Sequence, residues 1–317
     1  MPEEKLVTIV TLSYNKAKYL RDWAEGLAKQ TYLDKMKILV FEDGSTDNSL
    51  ELLKKYQSEY RLPLELINNK KNMGIMYSTL KAYRKIDTKY WAFLDSDDYY
   101  ISSRKIEKAV SFLEEHEDYS CYACANMLEL ADGRNVPSPF IQNPSQSFSG
   151  IKNSPFFQTA STTFRNCFTP QILEALENLS EDKRDSFNAD AFRNFLAHHF
   201  GKFYFDSSLD SLWRCNIGAW GTMTPISQDL SNMSAYYEYF KFSLAQWGMD
   251  ENAQHCLNLS FYFYNKILDE FVKHMKQLDI LEFEQAIYKD NDIGQNVFKE
   301  LIAQVKDFKA FGIKANI

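Results

Sequence analysis

Three carboxylates fall within four residues, at Asp95, Asp97 and Asp98, immediately after the mostly apolar run Trp91 to Leu94. In an extended segment, residues two apart point the same way, so Asp95 and Asp97 project together from the end of that run. Two unit charges ~4 Å apart repel by about 4 kcal/mol at an effective dielectric of 20. A divalent cation relieves that repulsion. Mg²⁺ or Mn²⁺ held by only one or two carboxylates keeps open positions, which substrate phosphates fill. The competing reading is a capped loop, in which the same acids accept backbone N–H bonds and lead into a helix beginning near Ser102.

The segments that must deliver these acids alternate in type. Leu6 to Asn15 (LVTIVTLSYN) has the β-branched composition of a buried strand, and the next stretch carries apolar residues at helical spacing, Leu20, Trp23 and Leu27. Met36 to Asp43 reads as a second strand, followed by a GSTDNS turn with Asp47 or Asn48 as helix cap and then by the helix SLELLKKYQSEY. LPLELINN, GIMYSTLKAYRK and YWAFLD continue as strand, helix and strand. This order predicts a doubly wound, mostly parallel α/β sheet, in which ligands bind beyond the carboxyl ends of the strands. The polar clusters SYN, EDGSTD, NKKNMG and DSDD all lie there.

Further along, SSRKIEKAVSFLEEHED reads as a helix and YSCYACANMLEL as a strand turned at Ala131-Asp132-Gly133. Residues 135–157, rich in Pro, Ser, Asn and Gln, read as a long binding loop. PQILEALENL and FNADAFRNFLAHHF are helical, and beyond Pro225 three helices with dense aromatic stripes follow. Tyr236, Tyr237, Tyr239, Phe240 and Phe242 exceed what one buried stripe needs, which suggests docking of a lipid-linked acceptor, a membrane surface or a second subunit.

Bulk properties narrow the function. The 317 residues carry a net charge of −7 with dispersed Lys and Arg, which excludes a phosphate-backbone reader, so no nucleic-acid partner is expected. The N-terminus has acids where a secretory signal has bases, and no run of about 18 apolar residues occurs, so the expected location is cytoplasmic. Five cysteines, an odd number, fit reduced thiols, with Cys121 and Cys124 as core residues of a strand rather than a metal or redox pair.

TLSYN, FEDGSTDNS, NMG and FLDSDD, in that order and at strand ends, resemble family 2 glycosyltransferases of the GT-A fold, over roughly Val7 to Thr224. The resemblance implies an inverting enzyme that moves a sugar from a UDP-sugar to a hydroxyl of a glycan or lipid-linked glycan acceptor, in bacterial surface polysaccharide or lipooligosaccharide synthesis. It implies a GT-A domain over 1–224, with a nucleotide-binding half at 1–130 and an acceptor half at 131–224, and a helical C-terminal region at 225–317. Thr11 and Tyr14 would line the nucleotide pocket, Asp43 would hydrogen-bond the base, and Asn72, Gly74 and Ser96 would belong to the same site. Asp95 would reach the ribose side and share with Asp97 a Mn²⁺ or Mg²⁺ that bridges the phosphates, with Asp98 toward the sugar. Asp190 would be the general base, with Asp185 as its nearest rival. Arg214 would clamp phosphate oxygens.

The sequence departs from the family pattern in three places. Asn216 stands where a His is frequent, Tyr77-Ser78-Thr79 replaces an Ala-Arg-Asn, leaving Lys70, Lys71 or Lys81 to meet phosphate, and Ala189 replaces a Glu before the base. His198 and His199 read as packing residues. Two other classes compete: an Asp-x-Asp phosphohydrolase, whose motif would normally end the first strand and not the fourth, and a non-catalytic nucleotide-binding scaffold.

Overall fold

The computed structural model describes residues 4–138, 144–179, 187–215, 223 and 225–276. Asp185, Asn216 and the last predicted helix lie outside the described residues. Four strands, β1 (Val7–Ser13), β2 (Met36–Glu42), β3 (Leu64–Asn68) and β4 (Tyr90–Phe93), run parallel in the order β3-β2-β1-β4. Their connecting helices are α1 (Leu20–Ala28), α2 (Ser49–Glu59) and α3 (Ile75–Lys85). This is the predicted parallel half.

Beyond β4 the sheet becomes mixed. Its further strands are the two-residue β5 (Tyr99–Tyr100), β6 (Tyr119–Glu129), β7 (Asn135–Pro137), β8 (Gln146–Phe148), β9 (Thr162–Arg165) and β10 (Lys202–Arg214). Strand β9 lies antiparallel between β4 and β6, β10 runs parallel to β6, and β5 closes that edge. The region expected to be one long loop therefore contains two short edge strands, β7 on β6 and β8 on β10. Helices α4 (Lys105–Glu115), α5 (Pro170–Glu177), α6 (Ala189–His198), α7 (Pro225–Trp247) and α8 (Glu251–Lys276) complete the described chain.

Side-chain alternation along the strands sorts the interior into two cores. On β4, Trp91 and Phe93 face the core shared with α3, α5, α6, α7 and α8, while Tyr90, Ala92 and Leu94 face the one shared with α1, α2 and α4. Trp91 stacks on Phe164 of β9 at 4.5 Å between ring centroids, which fixes the antiparallel insertion. The C-terminal aromatics correct an expectation. Tyr237, Tyr239, Phe240 and Phe242 are buried, and Tyr236 stacks on Phe263 of α8. Because α7 packs against α6 on one side and α8 on another, it needs two apolar faces, and the surplus is used internally. Histidines 198 and 199 also pack, His198 on Phe203 and His199 on Trp247. No helix among the described residues is long and apolar enough to cross a membrane.

Candidate active site

The ends of β1, β2 and β3 are tied together before any ligand is considered. The Asp43 N–H donates to the Ser13 carbonyl, and the Asn69 N–H to that of Glu42, both at 2.8 Å. The Glu42 carboxylate accepts from the N–H groups of Gly44 and Ser45, so it, rather than Asp43, makes the turn expected at GSTD. Gly44 has φ +73°, and a Cβ there would lie 2.6 Å from the Lys71 backbone, so only glycine lets the second loop close on the third. Asp43 is buried, and its carboxylate accepts from Asn69 Nδ2 at 2.8 Å and from the N–H groups of Met73 and Gly74 at 3.0 Å. Asn72 Oδ1 accepts from the same Gly74 N–H. Asp43 thus shapes the Asn72–Gly74 loop, and the base contact assigned to it would have to share these oxygens.

The remaining nucleotide-side residues divide. Tyr14 is 41% exposed at the end of β1 and open to a ligand. Thr11 is fully buried: its hydroxyl donates to the Leu94 carbonyl at 2.8 Å and accepts from Trp23 Nε1 at 3.1 Å. It presents no side-chain surface to a pocket. Lys70, Lys71 and Lys81 are exposed, Lys81 lying over the Tyr77 ring.

The DSDD loop follows the expected alternation. Asp95 and Asp97 are partly exposed, whereas Ser96 and Asp98 are buried. Ser96 Oγ donates to the Leu12 carbonyl at 3.0 Å, and Asp98 Oδ1 accepts the Arg214 backbone N–H at 2.9 Å. The Asp98 N–H donates to the Asp95 carbonyl, closing a tight turn. Asp98 therefore points into the protein, away from the sugar position implied for it. Burial, then the charges of Asp97 and Asp95, hold its carboxyl well above the ordinary range.

Arg214, at the end of β10, is committed to this loop. Its Nη1 donates to the Asp97 carbonyl at 2.6 Å, Nε to Glu129 at 3.1 Å, and Nη2 to Asp22, and the guanidinium lies over the rings of Tyr19 and Tyr99. The phosphate clamp expected of Arg214 is thus already engaged in holding the acidic turn. Only by releasing Asp22 or Glu129 would it face a diphosphate.

Helix α6 brings the second acid to the crevice. Asn188 caps it, its side chain accepting from the N–H groups of Asp190 and Ala191, and the Tyr239 hydroxyl donates to the Asn188 carbonyl at 2.7 Å. Asp190 is 42% exposed and ion-pairs with Arg193 one turn on. Arg193 is buried, donates to Thr159 Oγ1 at 3.1 Å and lies 4.2 Å from the Phe93 ring centroid. Asp190 also acts on Asp95: the Asp95 carboxyl is pushed up to about 7 by burial first, then by the Asp190 charge, then by that of Asp97. On the other flank, Lys16 Nζ pairs with Asp97 Oδ2. The crevice thus holds Asp95, Asp97 and Asp190, bracketed by two cations, Lys16 and Arg193. Sequence reading missed both cations. Lys16 is one residue past SYN, and Arg193 stands at the i+3 position from Asp190, a spacing that signals a helical ion pair.

The donor set suits a hard divalent cation. Asp95 and Asp97 offer carboxylate oxygens at the partly exposed face of the turn, and their mutual repulsion contributes to the raised Asp95. Among the described residues no group of three or more His, Cys, Asp or Glu is arranged to hold an ion unaided, so phosphate oxygens would complete the coordination. Cys121 and Cys124 are buried free thiols on β6, as expected.

A crevice at the carboxyl ends of β1 to β4, faced by an acid on a helix from the second half, is the architecture of the GT-A nucleotide-sugar-dependent transferases. The chain matches the crystal structure of residues 1–349 of Staphylococcus aureus TarS in complex with UDP-GlcNAc over 94% of its own length and 80% of the other, with TM-score 0.64 and 17% identity. It matches a mannosyltransferase of Pyrobaculum calidifontis in complex with GDP-Man and Mn²⁺ over 95% and 86%, with TM-score 0.55 and 14% identity. Residues 8–176, more than half of the chain, match the family model for glycosyl transferase family 2, and the chain belongs to that family.

Among sequence relatives, the poly(ribitol-phosphate) beta-N-acetylglucosaminyltransferase TarS of S. aureus is 27% identical over 158 residues, 49% of this chain and 26% of that one. The processive diacylglycerol beta-glycosyltransferase of Mycoplasma genitalium is 30% identical over 128 residues, 40% of this chain and 37% of that one. The chain thus aligns with well under two thirds of either relative.

Proposed function

We propose that this protein is a metal-dependent, inverting glycosyltransferase that moves a sugar from a UDP-sugar to a hydroxyl of a glycan or lipid-linked glycan acceptor. The observation that carries the reading is the placement of Asp190 beside the acidic loop, its ion-pair partner Arg193 lying 4.2 Å from the ring centroid of Phe93 on β4, two residues before Asp95, because single displacement needs a base and a diphosphate site on opposite sides of one sugar. Mn²⁺ or Mg²⁺ held at Asp97 and Asp95 would supply charge stabilisation for the leaving diphosphate. Asp190 would accept the acceptor hydroxyl's proton as the new bond forms, held in place by its pair with Arg193. Tyr14 and the Asn72–Gly74 loop, shaped by Asp43, would meet the nucleoside. UDP is preferred as donor nucleotide because the TarS structure, with the higher TM-score of the two, carries UDP-GlcNAc.

The body over residues 1–224 would carry donor and acceptor, and the helices from 225 onward would buttress the base through Tyr239 and Asn188. Surface polysaccharide assembly at the cytoplasmic face of a membrane is the proposed setting. Turnover of a UDP-sugar panel with Mn²⁺ tests the reading, and Asp97→Asn should lower it by about a hundredfold or more with an unchanged circular dichroism spectrum. Undiminished turnover in that variant would refute the metal assignment, and the absence of turnover or heat-shift with every UDP-sugar would refute the donor.

A further inference from the structure

Asp97 has a resident partner that the proposed chemistry does not require. Lys16 sits in the turn after β1, its backbone N–H donating to Ser49 Oγ at 3.0 Å. The same turn is pinned by Asn15 Oδ1 to the Thr46 N–H and by Asp47 to the Ala17 N–H. The root of the side chain is therefore fixed, while its four-carbon stem carries the ammonium to Asp97 Oδ2. The two arginines nearby are engaged elsewhere: Arg193 serves Asp190, and Arg214, on the inner side, holds the carbonyl of Asp97, not its carboxylate. A cation on a long flexible stem can leave Asp97 for another anion within its reach. A divalent ion approaching Asp97 alone meets this positive charge, whereas one arriving with a diphosphate brings anionic oxygens to which the ammonium can transfer.

Building on the metal assignment to Asp97, we propose that Lys16 is a displaceable counter-ion that makes the site bind its divalent cation together with a nucleoside diphosphate rather than as a free ion. In the loaded site Lys16 would pair with a diphosphate oxygen. Lys16 is then a specificity residue for the order and coupling of metal and donor binding. By linkage, whatever factor UDP adds to Mn²⁺ affinity, Mn²⁺ adds to UDP affinity.

Electron paramagnetic resonance of unbound Mn²⁺, titrated against the full chain with and without UDP, tests this on wild type, Lys16→Met, Lys16→Arg and Asp97→Asn. In wild type, UDP should tighten Mn²⁺ binding by about tenfold or more. Lys16→Met should bind Mn²⁺ without UDP about tenfold more tightly than wild type, with the gain from UDP reduced, and Lys16→Arg should keep the wild-type pattern. Lys16→Gln gives a second neutral variant should the first fail to fold. If Asp97→Asn abolishes Mn²⁺ binding but neutral Lys16 variants stay within about twofold of wild type, the Lys16 inference falls and the metal assignment stands. If Lys16→Arg behaves as Lys16→Met does, charge is not the cause and the inference also falls. If Asp97→Asn binds Mn²⁺ as wild type does, the metal assignment falls and the Lys16 inference falls with it.

Discussion

Two ionic networks meet at the DSDD loop and behave differently. On the inner side, Asp98 is buried against the Arg214 backbone, and the Arg214 side chain spans Asp22, Glu129 and the Asp97 carbonyl. On the crevice side, Asp95, Asp97 and Asp190 have two cations between them, and the Asp95 carboxyl is pushed up to about 7 by burial and by the two neighbouring acids. The turn closed by the Asp98 N–H on the Asp95 carbonyl assigns consecutive acids to the two networks. The inner network ties the loop to α1, β6 and β10, while the outer one has an excess of acid that a bound cation and substrate can relieve.

Four measurements would break or sharpen that contrast. The largest effect is expected in the outer network: Asp190→Asn should reduce transfer by roughly 10²–10⁴-fold while Mn²⁺–UDP binding stays near wild type, as for loss of a general base. A variant that instead lost UDP binding would move Asp190 from base to donor site. Next, Arg214→Gln should lower unfolding free energy by about 2–3 kcal/mol in urea titration, because the Asp97 carbonyl, Glu129 and Asp22 all lose the donor that links them. Unaltered stability with a raised KM for the donor would make Arg214 a phosphate ligand after all.

The third measurement concerns Asp95→Asn and carries a sign. A carboxyl whose folded-state pKa is about 7, against the ordinary 3.8, binds its proton more tightly in the folded state. Its contribution to stability is therefore fully present below about pH 4 and lost as pH rises through 7. Without divalent metal, the variant should gain on wild type across that window, by about 2 kcal/mol above pH 7, with no difference near pH 4. A pH-independent difference would mean that Asp95 is not crowded. Smallest is Thr11→Val, which leaves Trp23 Nε1–H and the Leu94 carbonyl short of a partner. It should cost about 1–2 kcal/mol with no change in donor KM, the mark of a structural residue rather than a pocket one.

Legibility in the sequence followed the regularity of each segment. Strands β1 to β4 are short apolar runs between polar clusters, their helices keep a period of 3.6, and every reading there has its element. Strand β10 was missed because its pairing with β6 shifts register between Asp206 and Leu209 and again between Leu209 and Ser211. Such bulges break the alternation that marks a strand. Strand β9 has four residues, too few for a pattern, and is held by Trp91 and Phe164 stacking across the sheet. The aromatic surplus of α7 looked like an exposed face because sequence shows how many apolar residues a helix has, not how many neighbours it packs against.

What the chain determined locally is the placement of polar loops at four successive strand ends and the alternation that puts Asp95 and Asp97 on one side and Ser96 and Asp98 on the other. Short-range backbone geometry is enough for that, since the turn closed by the Asp98 N–H on the Asp95 carbonyl lies within four residues. The partners were decided only by the tertiary structure: Lys16 on Asp97, Arg214 on Asp22 and Glu129, and the approach of α6 to the acidic loop. These pairs join residues from different elements, some nearly two hundred positions apart. Which oppositely charged groups meet depends on how the layers pack, a property of the assembled cores and of no single segment.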